Sequence, residues 1–149
     1  MKTIRKMYDH LIWANRRILE TLQNAETDNQ RTIDLFCHIL NAERVWVTRL
    51  RGMDSSQLPI WSEGDLAICA QLIKQNEENF TTFLADTEEM DLDKIISYAN
   101  SAGKQFESSM RDILTHVALH GQYHRGQINS RLRADGIEPV SVDYIIFAR

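Results

Sequence analysis

The chain has 149 residues, enough for one domain with a real core and too few for two ordinary ones. Its apolar fraction of 43% and charged fraction of 26% are those of a soluble globular protein, and two prolines with six glycines favour long helices over a turn-rich sandwich or barrel. A net charge of −4 argues against nucleic-acid binding, which needs clustered Lys and Arg, and no apolar run approaches the ~18 residues that a membrane span requires.

Residues 3–24 carry Ile4, Met7, Leu11, Ile12, Ile18, Leu19 and Leu22 at helical spacing, interrupted by Trp13 and Asn15. The polar stretch 24–29 ends this helix and supplies cap residues. A second helix is expected over about 30–51, with Ile33, Phe36, Ile39, Leu40, Val47 and Leu50 inward and His38 on a strip bordering the core. The connection 52–62 contains Pro59 and several serines, so it is not helical. Leu58, Ile60 and Trp61 are too apolar for a free linker and should pack on the body.

Ser62, followed by Glu63 and Asp65, reads as the N-cap of a third helix over about 63–86. Residues 87–93 read as an acidic loop. The β-branched run from Lys94, the turn signal Asn100-Ser101-Ala102-Gly103 and the alternation after it predict a small hairpin over 94–107. Ser108 or Ser109 can cap a fourth helix over about 108–134, which Gly136 ends. The apolar tail from Pro139 should pack on the bundle. Four long amphipathic segments with one long crossover give an all-α four-helix bundle, one domain over 1–149.

Cys37 and Cys69 form no CxxC motif. A disulfide between them and a pair of small buried thiols in a reducing compartment both fit the sequence, the second better. The first ten residues lack an apolar segment of signal-peptide length, and the chain reads as cytoplasmic.

Thr115 to Gln127 holds three of the five histidines, His116, His120 and His124, each four residues from the next. Residues four apart share a helix face, so two such imidazoles can meet on one ion. His116 and His124 stand about 12 Å apart along the axis and cannot easily share it. Spacing allows His116 with His120, or His120 with His124. A third ligand must come from another element, and His38 is the better candidate, with His10 weaker. Gly121 stands where an H-E-x-x-H helix has its glutamate base, and Glu-x-x-His pairs of a di-iron bundle are missing.

These motifs make the chain recognisable. Tyr8 with Trp13-Ala14-Asn15, His38 with Ala42-Glu43-Arg44-Val45-Trp46, and above all His120-Gly121-Gln122-Tyr123-His124-Arg125-Gly126-Gln127 resemble the DinB family of DinB/YfiT-like metalloenzymes over nearly the whole length. (This is not the DNA polymerase of the same name.) The resemblance implies an up-down-down-up bundle with a hairpin before the last helix. It implies a divalent metal, zinc or nickel by the chemistry of imidazole ligands, held by His38, His120 and His124.

His116 then becomes a packing or supporting residue. Gln127 is expected at the site edge or in packing, and Asn41 as an orienter of His38 or a solvated polar group. Arg125 is expected as a surface charge or an attractor of an anionic substrate. Gly121 and Gly126 are expected to permit close helix contact, and Tyr8, Trp13, Trp46 and Trp61 to form core or cavity wall. For function, the resemblance implies metal-dependent S-transfer from a low-molecular-weight thiol to a small-molecule substrate. Metal-dependent hydrolysis and a non-catalytic metal-binding stress or interaction protein are the alternatives. A homodimer is expected.

Overall fold

The structure is a computed structural model that describes all residues, Met1–Arg149. Helix α1 spans Lys2–Asn24 and α2 spans Gln30–Leu50, with Asn29 capping α2 through Thr32 N. Helix α3 spans Leu66–Ala85, β1 Ile95–Ala99, β2 Gln105–Ser109, α4 Met110–Ala134 and α5 Tyr144–Ala148. Three boundaries differ from expectation. Asp65, not Ser62, caps α3 by accepting from Ile68 N at 2.8 Å, so the connection runs longer. The acidic segment contains a 3-10 turn, Glu89–Asp93, closed by Asp91 accepting from Glu88 N. The tail carries the short α5, while Val140 and Val142 pack inward.

Helix directions follow from which residues meet. Tyr8 Oη donates to Leu114 O and, further up both helices, Arg125 donates to Asn15, so α1 and α4 run parallel. Cys37 meets Cys69 and Arg51 meets Asn79, so α2 and α3 run parallel. Arg5 donates to Leu84 O at the far end of α3, which makes α1 and α3 antiparallel. The order is up-down-down-up. The 51–65 connection is what lets α3 repeat the direction of α2. The antiparallel hairpin pairs Ile95 with Ser109 and Ala99 with Gln105, delivering the chain directly into α4, which Ser109 caps through Asp112 N.

The core is two apolar clusters rather than one. One contains Ile18, Leu22, Phe36, Leu40, Ile73 and Ile128; the other contains Tyr8, Leu11, Val47, Phe80, Leu114 and Val117. Between them lies a buried polar layer with one member from each long helix: Asn15, Glu43, Asn76 and Arg125. Asn15 Nδ2 donates to both Glu43 carboxylate oxygens, at 2.9 and 3.2 Å, and its Oδ1 accepts from Arg125 Nη1 at 2.8 Å. Asn76 Nδ2 donates to Glu43 Oε2 at 3.1 Å and to Leu40 O at 2.9 Å. A buried polar group is tolerated when bonded, and a charge when paired, so this layer is stable only when all four helices are in register.

Arg125 is therefore neither a surface charge nor a substrate attractor. It is fully buried. The expected role of the glycines also changes. A Cβ at Gly121 would meet Arg125 Nη1 at 3.0 Å, so Gly121 makes room for the guanidinium of its own helix, not for a neighbouring helix. A Cβ at Gly126 would meet nothing within 4 Å, and no close helix contact occurs there. Cys37 and Cys69 are free, buried thiols with Sγ atoms 2.9 Å apart. No helix is long and apolar enough to cross a membrane.

Candidate metal centre

His38 on α2 and His120 and His124 on α4 converge where these two helices pack. His38 occupies the α2 strip that borders the core and is 4% exposed. His120 and His124 are one turn apart on α4, with their rings 4.5 Å apart between centroids. Nε2 of His120 lies 3.2 Å from Nε2 of His38 and 3.2 Å from Nε2 of His124, and one ligand atom from each residue falls within 4.8 Å of the others.

Two of the outward nitrogens have partners. Nδ1 of His38 donates to Ile60 O at 3.0 Å, and Nδ1 of His124 donates to Gln127 Oε1 at 2.7 Å. Gln127 is itself held by donating from Nε2 to Tyr123 Oη at 3.2 Å. Acceptors at both Nδ1 atoms fix the proton there and turn the Nε2 lone pairs inward. Two inward lone pairs thus face His120 Nε2, and an ion among the three nitrogens would take a lone pair from each. Tetrahedral ligands at 2.0–2.1 Å from an ion have nitrogens about 3.3 Å apart, so the donor set fits a divalent metal.

Electrostatics agree. Burial, and then the charges His124 and His38 would carry, push the pKa of His120 down to about 4. Burial also lowers His38, against the opposing pull of the Ile60 carbonyl. Neutral imidazoles are the form that binds metal, so these two need shed no proton to do so at neutral pH.

The connection between α2 and α3 forms the outer wall. Trp61 stacks on the His38 ring, 3.5 Å between centroids and 5° between planes, while its other face stays exposed. Three bonds lay the connection along α2: Arg49 Nε to Ser55 Oγ at 3.1 Å, Asn41 Nδ2 to Ser62 Oγ at 2.9 Å, and Gln30 Nε2 to Gly64 O at 2.9 Å. Asn41 thus neither orients His38 directly nor faces water. It pins the loop whose Ile60 carbonyl orients His38.

The other two histidines stand apart. His116 is exposed, with its ring 5.5 Å from that of His120 and 5.4 Å from that of Trp46, and it is outside the ligand cluster. His10 is buried in a pocket of Trp13, Tyr144 and Phe147, with Nε2 2.7 Å from Val142 O, so it anchors the tail. The aromatic expectations divide. Tyr8 is core, Trp46 and Trp13 border it, and Trp61 is an exposed cover over His38.

Sequence reasoning gave no role to Asn15, Glu43 or Asn76, although Asn15 and Glu43 stand in the motifs that carry the family resemblance. A signal was present. Asn15 sits between Leu11 and Ile18, Glu43 between Ile39 and Val47, and Asn76 between Ile73 and Phe80, each three or four residues from both neighbours. Polar residues on three core stripes are a reason to look for a shared layer.

The family model described as the DinB family matches residues 1–149. The chain belongs to the DinB family. A curated relative, Protein DinB of Bacillus subtilis (strain 168), is 25% identical over 166 residues, covering 95% of this chain and 91% of the relative. The three converging histidines of this DinB-family chain are a cluster that can hold a metal ion.

Proposed function

We propose that the protein is a divalent-metal enzyme that transfers a low-molecular-weight thiol to an electrophilic small molecule. His38, His120 and His124 hold the ion, zinc or nickel by ligand chemistry. The observation that carries this reading is the convergence of three Nε2 atoms, two of them 3.2 Å from the third, with no fourth protein ligand in the cluster. Three imidazoles with an open position are the pattern of a catalytic site, whereas four closing ligands are that of a structural one. A divalent ion at such a site supplies Lewis acidity, lowering the pKa of a thiol or water at the open position so that a nucleophile exists near neutral pH.

The chain's own residues hold the ligands and cover one side. Ile60 O and Gln127 Oε1 orient two imidazoles, and Trp61 shields His38 from water. Thiol transfer is favoured over hydrolysis because Gly121 stands at the position of a metallohydrolase helix's glutamate, and the buried Glu43 is engaged by Asn15 and Asn76. The protein acts in the cytoplasm, where Cys37 and Cys69 stay reduced, and it acts as a homodimer.

The test has two arms. Elemental analysis of His38→Ala, His120→Ala and His124→Ala should find tight metal binding lost in each, with His116→Ala weakened less; equal retention in all four sinks the ligand assignment. Metal-loaded protein, several biological thiols and a haloarene should then give a conjugate by mass spectrometry. No conjugate above the metal-free control sinks the transferase reading.

A further inference from the structure

A cavity of about 420 Å³ lies between the C-terminal half of α2, the connection and the hairpin. Val45, Leu58 and Ile60 give it an apolar side; Ser55, Ser97 and Asn100 give it a polar rim. It also contains Arg49, which is only 7% exposed. The guanidinium lies over two rings, 4.6 Å from the centroid of Trp46 and 5.2 Å from that of Tyr98. Its Nε–H goes to Ser55 Oγ, and its two terminal nitrogens donate to no protein acceptor.

None of the protein's ion pairs includes Arg49. The one carboxylate on the cavity wall, Asp54, is taken up by the backbone N–H and hydroxyl of Ser56. Burying a cation without an anion is costly, and ring faces offset only part of that cost. Burial accordingly pushes the Arg49 pKa down. A guanidinium held over two ring faces, with its terminal donors open to a cavity, is shaped for a carboxylate.

The cavity adjoins the histidines. Ile60 lines it and at the same time accepts the Nδ1–H of His38. Arg49 follows His38 by eleven residues, three turns of α2, so the two project from nearly the same face about 16 Å apart along the axis. A molecule reaching from one to the other must be elongated, with its reactive group and its charge at opposite ends.

We infer that Arg49 is the anion-binding residue of a substrate subsite in this cavity, taking a carboxylate of an elongated acidic small molecule whose other end reaches the three histidines. This rests on the metal-site reading for the reactive end, but the subsite itself can be tested without any reaction. The role that sequence position offered to Arg125 falls to Arg49.

The probe is S-methylglutathione, which carries two carboxylates and a sulfur blocked against deprotonation, titrated calorimetrically into zinc-loaded protein at low salt. The expected result is binding that Arg49→Gln weakens about tenfold or more, that Arg49→Lys partly retains, and that the probe's diethyl ester loses by a similar factor. Equal binding by wild type and Arg49→Gln, equal binding of acid and ester, or no binding by wild type at millimolar probe overturns the subsite. The ester comparison uses wild type alone, so it decides even if Arg49→Gln does not fold. Zinc content is measured on every sample: normal zinc with no probe selectivity defeats the subsite and leaves the metal site standing, whereas absent zinc defeats the metal reading by itself.

Discussion

Gln127 Oε1 lies 2.7 Å from Nδ1 of His124, one turn along the same helix. An amide oxygen at that position accepts the Nδ1–H, holds the ring's orientation and leaves Nε2 free for a metal. Partners of this kind, behind the ligand, typically carry 10–100-fold in metal affinity. Gln127→Ala should therefore weaken zinc binding by about 10–100-fold with the bundle intact, and Gln127→Glu, which keeps an oxygen there, should recover most of it. Competition against a chromophoric chelator measures both. Unchanged affinity in Gln127→Ala would assign the residue to packing.

Trp61 offers a direct optical check on the site. Its ring lies 3.5 Å from that of His38, whereas Trp13 packs at the tail and Trp46 meets His116 edge-on. Loading with nickel, a paramagnetic ion, should quench a fraction of the tryptophan emission, and Trp61→Phe should remove most of that response. Quenching that survives in Trp61→Phe would place the bound ion away from His38.

The elements were legible from apolar periodicity, and the helix-two and helix-four histidines from their strips. What sequence could not supply was depth. Arg125 follows a metal-ligand candidate in a polar stretch, and charge alone suggests a surface position. Only the assembled bundle reveals that Gly121, one turn back, clears the space for its guanidinium and that Asn15, 110 residues away, receives it. The connection was similarly opaque. Its apolar residues implied packing, but its backbone carbonyl at Ile60, which orients His38, carries no sequence signature. Register between distant elements is a property of the packed state, and side-chain identity reports it only indirectly.

The polar layer makes a strong stability prediction. Arg125 is fully buried, and so is its partner Asn15, which has no water to replace it; its other partner, Gln122, is half-buried. Replacing Arg125 leaves the amide oxygen of Asn15 buried without a donor, at a cost of about 1–3 kcal/mol. Arg125→Met should destabilise by that order in urea denaturation. Arg125→Lys should lie in between, since one ammonium cannot reproduce a fork that reaches both amides. A change below about 1 kcal/mol in Arg125→Met would show that the layer is dispensable.

Glu43 gives the layer a pH dependence opposite to the common carboxylate case. Burial lifts its pKa from an ordinary 4.5 to about 7, against the lowering effects of Asn15, Arg125 and Asn76. The folded protein then keeps this proton up to about pH 7, while the unfolded chain releases it near 4.5. Between those values the folded state binds more protons, and stability falls as pH rises. Full burial of Glu43 allows a conversion, about 2–3 kcal/mol across the window. Glu43→Gln keeps the shape and an amide oxygen for Asn15, and it does not titrate. Histidine contributions are common to both proteins and cancel in the difference between them. The stability of wild type relative to Glu43→Gln, from urea midpoints at pH 4.5, 6 and 7.5, should therefore decline with rising pH. A difference that is flat, or that rises with pH, would mean that Glu43 is ionised in the fold and that Arg125, through Asn15, holds it as an anion.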